Sequence, residues 1–172
     1  KLLIEHGADL NLAVKGITPL MQAVSNGNLK VTKVLIKAGA DLNLADIDGM
    51  TPLHHACINS DLDAVKLLIK HGADLNLATI NGATPVLRAT SKGFTKIVKV
   101  LANAGADLNL AYGDVTTPLF FSSRNNDIDS CIILINEGAN PNLLNHDNQK
   151  ASHVTTNKNL KIISEIAEEL YP

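Results

Sequence analysis

His54 and His55 form the only adjacent histidine pair in this 172-residue chain, and paired imidazoles can hold a metal or shuttle a proton. Either task needs further groups in reach, and no carboxylate stands at helical spacing beside them. The two cysteines, Cys57 and Cys131, lie in apolar stretches more than seventy residues apart, and neither has a second Cys at the short spacing of a zinc site. A cysteine senses redox state only where its pKa is lowered, and in apolar surroundings it packs as a small hydrophobe. No Gly-x-Ser-x-Gly elbow accompanies the serines, and no glycine-rich phosphate loop is present. The reading is no catalytic residue, no metal site and no cofactor.

These residues sit on a repeat. Gly7-Ala8-Asp9-Leu10-Asn11-Leu12-Ala13 returns at 39–45, 72–78 and 105–111, with a worn copy at 138–143. Thr18-Pro19, Thr51-Pro52, Thr84-Pro85 and Thr117-Pro118 keep step with it at a spacing of 33 residues. A Thr before Pro offers a side-chain oxygen at the N-cap, and proline suits the first helical position because it has no N–H to leave unpaired. About seven residues later Gly27 or Gly93 ends the helix, with Ser60 and Asn126 in the same place in other copies. A second helix follows, with apolar residues such as Val31, Val34 and Leu35, or Ile97, Val100 and Leu101, at i, i+3 and i+4. It ends at the repeated glycine, suited to a left-handed C-cap. The alternating Asp-Leu-Asn-Leu-Ala is too short for another helix and reads as one arm of an extended hairpin. Helix pairs this short cannot bury their apolar faces alone, so successive units must stack.

Period, element order and the phrase Thr51-Pro52-Leu53-His54-His55-Ala56 resemble the ankyrin repeat over nearly the whole chain. The resemblance implies a mainly α fold, an α-solenoid of stacked helix-turn-helix units joined by β-hairpin-like loops. One domain spans 1–172: a partial repeat at 1–14, full repeats at 15–47, 48–80, 81–113 and 114–146, and a degenerate capping repeat at 147–172, whose second helix is one residue short. Its Thr-Pro position holds Lys150-Ala151. The chain starts at Lys1 in mid-pattern, as a piece of a longer protein would, and Leu2 and Leu3 should be under-packed there. The resemblance also gives His54 a structural role, fastening the helix start to the hairpin backbone.

Composition narrows the function. A net charge of −2 lacks the basic balance that phosphate neutralisation requires, so no nucleic-acid partner is expected. No apolar run reaches the ~18 residues of a membrane span. Two isolated cysteines point to a reducing compartment, cytoplasmic or nuclear. The expected function is protein–protein interaction by a monomeric, non-enzymatic module. A substrate-recognition region of a larger enzyme and a structural tether are the alternatives.

In ankyrin arrays the partner lies on the concave surface made by hairpin tips and first helices. Here the resemblance assigns the apolar positions Val14, Ile17, Ile47, Met50, Ile58 and Ile80, and the polar positions Ser25, Asn26, Asp48, Asn59, Asn81 and Lys92. Solvent-facing apolar tips either serve a partner or pack on one another. The last full repeat instead carries Gly113, Asp114, Thr116, Arg124 and Asn125. On the second helices Lys33, Lys66 and Lys99 share one register, with Lys30, Lys37, Lys70 and Lys96 nearby. That ridge is a solvated outer face or a contact for acidic partners or lipid headgroups.

Ankyrin arrays in animal cells are also substrates of an iron- and 2-oxoglutarate-dependent asparaginyl hydroxylase that prefers a hairpin Asn with Leu eight residues earlier. Asn11, Asn43, Asn76, Asn109 and Asn142 match, with Leu3, Leu35, Leu68, Leu101 and Leu134. The same spacing follows from the fold alone, since this Asn bonds hairpin backbone and the Leu belongs to the core. Incubation with the hydroxylase should add a single oxygen to these peptides by mass spectrometry, and an unchanged mass would remove the assignment.

Overall fold

The computed structural model describes residues 7–113 and 116–170. Among them ten helices alternate short and long: α1 (Pro19–Ser25), α2 (Leu29–Lys37), α3 (Pro52–Ile58), α4 (Leu62–Lys70), α5 (Pro85–Ser91), α6 (Thr95–Asn103), α7 (Pro118–Arg124), α8 (Ile128–Asn136), α9 (Ala151–Val154) and α10 (Lys158–Leu170). No strand occurs among the described residues; isolated bridges pair Val14 with Ile17 and Tyr112 with Thr116, and single backbone bonds close other hairpins at Asp46–Met50, Thr79–Ala83 and Asn145–Gln149. The fold is a mainly helical solenoid. Leu2, Leu3 and Asp114 lie outside the described residues.

The helix starts follow from the Thr-Pro markers. Thr18 Oγ1 accepts the Met21 N–H at 3.2 Å and Thr84 Oγ1 accepts the Leu87 N–H at 3.4 Å, with proline opening each helix. The first helices end in left-handed backbone at Gly27, Gly93, Ser60 (φ 57°) and Asn126 (φ 55°). Ser60 and Asn126 thus adopt a conformation that glycine takes at less cost. The second helices have caps of their own: Asn28, Asp61 and Asp127 accept the N–H groups of Val31, Ala64 and Ser130.

Each helix packs on its counterpart one repeat away. The row α1, α3, α5, α7, α9 and the row α2, α4, α6, α8, α10 run side by side, joined within each pair. The core is the seam between the rows: Leu20, Leu53, Val86 and Leu119 in one register, Leu35, Leu68, Leu101 and Leu134 in another. Ala23, Ala56 and Ala89 keep the first helices close, and Ser122 stands in their register at 0% exposure. Its hydroxyl donates to Leu119 O at 3.0 Å and accepts from the Cys131 thiol at 3.0 Å, so the polar substitution is satisfied internally.

Two expectations need correcting. Val31 and Val34 are 43% and 41% exposed, and the buried face of α2 is Thr32, Leu35 and Ile36. The Thr32 hydroxyl bonds the Asn28 carbonyl at 3.0 Å, which lets a polar residue face the core. The last second helix is not short: α10 has 13 residues against 9 in α2, α4, α6 and α8.

The hairpins nest on one another. Each hairpin Asn reaches the next repeat, the Oδ1 of Asn11, Asn43, Asn76 and Asn109 accepting the N–H of Asp41, Asp74, Asp107 and Asn140 at 2.7–2.9 Å. At the tips the Ile80 N–H donates to Asp48 O at 3.0 Å. Gly49 makes that approach possible, because a Cβ there would lie 2.7 Å from Ile80 N at a φ of +79°. Gly72 has a similar φ of +87° with nothing within 4 Å of a Cβ. Gly72→Ala should therefore cost only left-handed strain, roughly 1–2 kcal/mol. Gly49→Ala should cost roughly 1–2 kcal/mol more, as overpacking is added. Urea unfolding of both variants measures the difference, and equal losses would mean that the tips are free to separate.

Candidate partner-binding surface

A repeat of 33 residues turns every surface position into a column. The hairpin tips form the column Val14, Ile47, Ile80, and all three are exposed, at 70%, 74% and 76%. Ile47 lies over Gly16 of the preceding tip with its Cγ2 as well as its backbone N, and Ile80 lies over Gly49 through backbone, while both isoleucine side chains stay mostly in solvent. Exposed aliphatic groups in a row are unfavourable in water unless something covers them. Ile17, Met50 and Ile58 are only half-buried. Met50 is held by its backbone, its N–H donating to Asp46 Oδ1 and its carbonyl accepting the Asp46 N–H, both at 2.9 Å.

The polar positions surround the row. Ser25, Asn26, Asp48, Asn59, Asn81 and Lys92 are all exposed. Some also serve the scaffold: Asn59 Nδ2 donates to Ser25 O at 3.0 Å, and Asn26 Oδ1 accepts from Gln22 Nε2 at 3.2 Å. The hairpin asparagines Asn11, Asn43, Asn76 and Asn109 are exposed and Asn142 is half-buried. Lys33, Lys66 and Lys99 are exposed on the second helices.

The histidine pair divides into two roles. His54 is fully buried. Its Nδ1 faces the Thr51 N–H at 3.1 Å and the Thr51 hydroxyl at 2.9 Å, and its Nε2 lies 2.9 Å from Ala83 O. A backbone N–H can only donate, so Nδ1 is the acceptor and Nε2 carries the proton that Ala83 receives. His54 thereby closes its own helix start and ties it to the following hairpin. His55 instead meets Asp46, Nε2 to Oδ2 at 3.0 Å, across the hairpin. Spacing along a helix did not reveal this carboxylate, because it approaches from nine residues upstream through the turn. The other Asp46 oxygen holds the Asp48 and Met50 N–H groups.

A further column was missed: Gln22, His55, Arg88, Phe121. It occupies the first helices beside the tips, and only the repeat register marks it in sequence. Arg124 lies over the Phe121 ring, 4.8 Å from its centroid. Ala83, Leu87, Arg88, Ser91, Tyr112 and Phe121 line a cavity of about 210 Å³ between α5 and α7.

Both thiols are free and buried, and burial pushes their pKa values up; for Cys131 hydrogen bonds with Ser122 and Ser123 oppose the rise. That is opposite to what a nucleophilic or sensing thiolate needs.

Family models for ankyrin repeats match the chain at 1–46 and 40–112 (a three-copy model) and at 116–146 (a single repeat). The chain belongs to the ankyrin repeat family. Comparison with curated proteins gives no match. Ankyrin repeats are generally protein–protein interaction modules and typically non-catalytic. No helix among the described residues is long and apolar enough to cross a membrane.

Burial lowers the His54 pKa from 6.5 to about 4, the Ala83 bond opposing and the Arg88 charge reinforcing the fall. The folded array therefore binds this proton less well than the unfolded chain, whose histidine titrates near 6.5. The stability contributed by neutral His54 is complete above pH 6.5 and is lost as pH falls towards 4, on the order of 3 kcal/mol in all. Urea unfolding across this range should show wild type losing stability faster than His54→Ala, which starts lower at pH 7. Parallel pH profiles for the two proteins would refute the assignment.

Proposed function

We propose that this chain is a recognition module of a larger protein, holding an extended or helical segment of a partner protein across its hairpin tips and first helices. The observation that carries the reading is the exposed row Val14, Ile47, Ile80. Hairpin nesting already fixes the tip backbones, and the isoleucines remain largely uncovered, which favours an external occupant over mutual packing. Ser25, Asn26, Asp48, Asn59, Asn81 and Lys92 ring the row with polar groups. Apolar anchors within a polar rim are the usual anatomy of a binding hot spot. We count the array as a partial repeat at 1–14, four full repeats over 15–146 and a capping repeat at 147–172. A cytoplasmic or nuclear setting, where thiols stay reduced, suits the two unpaired cysteines.

Modification of the hairpin asparagines is a separate proposal on the same edge. Exposure of Asn11, Asn43, Asn76 and Asn109 favours it, while each Oδ1 bond to the next hairpin means that an enzyme must first loosen the ladder.

The test begins with a partner recovered by pull-down and identified by mass spectrometry. Ile47→Ala and Ile80→Ala should each weaken its binding by roughly 1–2 kcal/mol, with little change in stability because both side chains are exposed. Met50→Ala should weaken binding too and also lower stability, since Met50 is half-buried. Lys33→Ala and Lys66→Ala should change affinity little. If the lysine variants abolish binding while the tip variants leave it intact, the partner lies on the second-helix face instead.

A further inference from the structure

Arg88 stands where His55 stands one repeat earlier, but its surroundings differ in one decisive respect. The register partner of Asp46, the carboxylate that receives His55, is Thr79. Thr79 carries no charge, and its hydroxyl already accepts the Ala83 N–H at 3.1 Å. Arg88 is half-buried, and its Nε is sealed from solvent with no hydrogen-bond partner among the described residues. Among those residues neither Arg88 nor Arg124 takes part in an ion pair. The cavity that Arg88 lines has an aromatic wall, Tyr112 and Phe121, and Arg124 Cζ lies 4.8 Å from the centroid of that Phe121 ring.

A guanidinium stacked on a ring keeps its N–H edge for a second partner, and a planar fork of donors matches a carboxylate. The apolar tip column ends where this pocket begins, Gly113 following Val14, Ile47 and Ile80. We propose that the pocket between α5 and α7 receives an aspartate or glutamate side chain of the partner segment against Arg88, while apolar residues of that segment lie on Ile47 and Ile80. This assignment rests on the reading of the tip and first-helix face as the binding surface. Charge complementarity favours an acid: no carboxylate lines the pocket beside Arg88, whereas Arg124 borders a separate pocket that already holds Asp147.

A random-peptide display library panned on the whole 172-residue chain tests it. The enriched peptides should share an Asp or Glu, and replacing that residue by Asn or Gln in a synthetic peptide should weaken binding about tenfold or more. Arg88→Gln and Arg88→Leu should each reproduce the loss on the protein side, without adding to it when the peptide acid is already gone. Unchanged melting temperatures establish that the variants are folded, and if one is not, the other carries the comparison. Peptides that depend on Ile47 but have no acid, or an acid indifferent to Arg88, would overturn the pocket and leave the binding face standing. Peptides indifferent to Ile47 and Ile80 as well, or no enriched peptide, would overturn both. Tighter binding when the acid is exchanged for phosphoserine would reassign the pocket to phosphate.

Discussion

Helices of seven and nine residues fall below the roughly 12–15 at which even favourable sequences hold a helix in water. The array holds because each repeat lends its neighbour a wall. Leu53 is sealed by what stacks on either side of α3, and the same is true of Val86 in α5. Every unit must therefore arrive in the same orientation, and the spacing of 33 residues is the sequence form of that demand. Scarcity of aromatics follows from it. Thin layers of Leu, Val, Ile and Ala bring the rows together, and among the described residues Phe120 is the one aromatic ring in that buried cluster.

Apolar packing alone does not fix register, since one aliphatic surface slides over another at modest cost. Directional bonds supply the rest. The hairpin Asn ladder repeats one contact at four successive junctions, from Asn11 to Asp41 through Asn109 to Asn140. His54 adds a buried bond at one junction only, and Met21, Leu87 and Phe120 fill the corresponding positions with apolar volume. The second full repeat is thus tied to the third by a polar bond whose breakage would leave an unpaired carbonyl inside the stack.

Much of this was legible because the features recur for reasons within a few residues of themselves. Thr before Pro caps a helix whatever lies far away, and Ser60 and Asn126 reveal a left-handed turn by standing where Gly27 and Gly93 stand. Local rules failed where three-dimensional neighbours decide. Helical periodicity could not say which of Val34 and Thr32 faces the core, because the choice depends on how α2 rotates against α4. Asp46 was not associated with His55, since the hairpin brings them together across nine residues. Arg88 and Phe121 went unread for a related reason: neither belongs to a motif, and only stacking makes them one wall.

The same logic separates what the scaffold needs from what it leaves open. Columns that carry the stack barely change: Leu, Leu, Val, Leu along the first helices and Leu four times along the second. The first-helix column beside the tips changes at every step, from Gln22 to His55 to Arg88 to Phe121, and the tip column runs Val14, Ile47, Ile80 and then Gly113. No packing rule requires the first-helix changes, since each residue holds the same helical position, whereas Gly113 takes a left-handed backbone at a φ of +47°. An exposed isoleucine and a half-buried arginine with an unbonded Nε are, if anything, unfavourable to the isolated array. Their departure from the repeat is therefore the strongest reason to place recognition there.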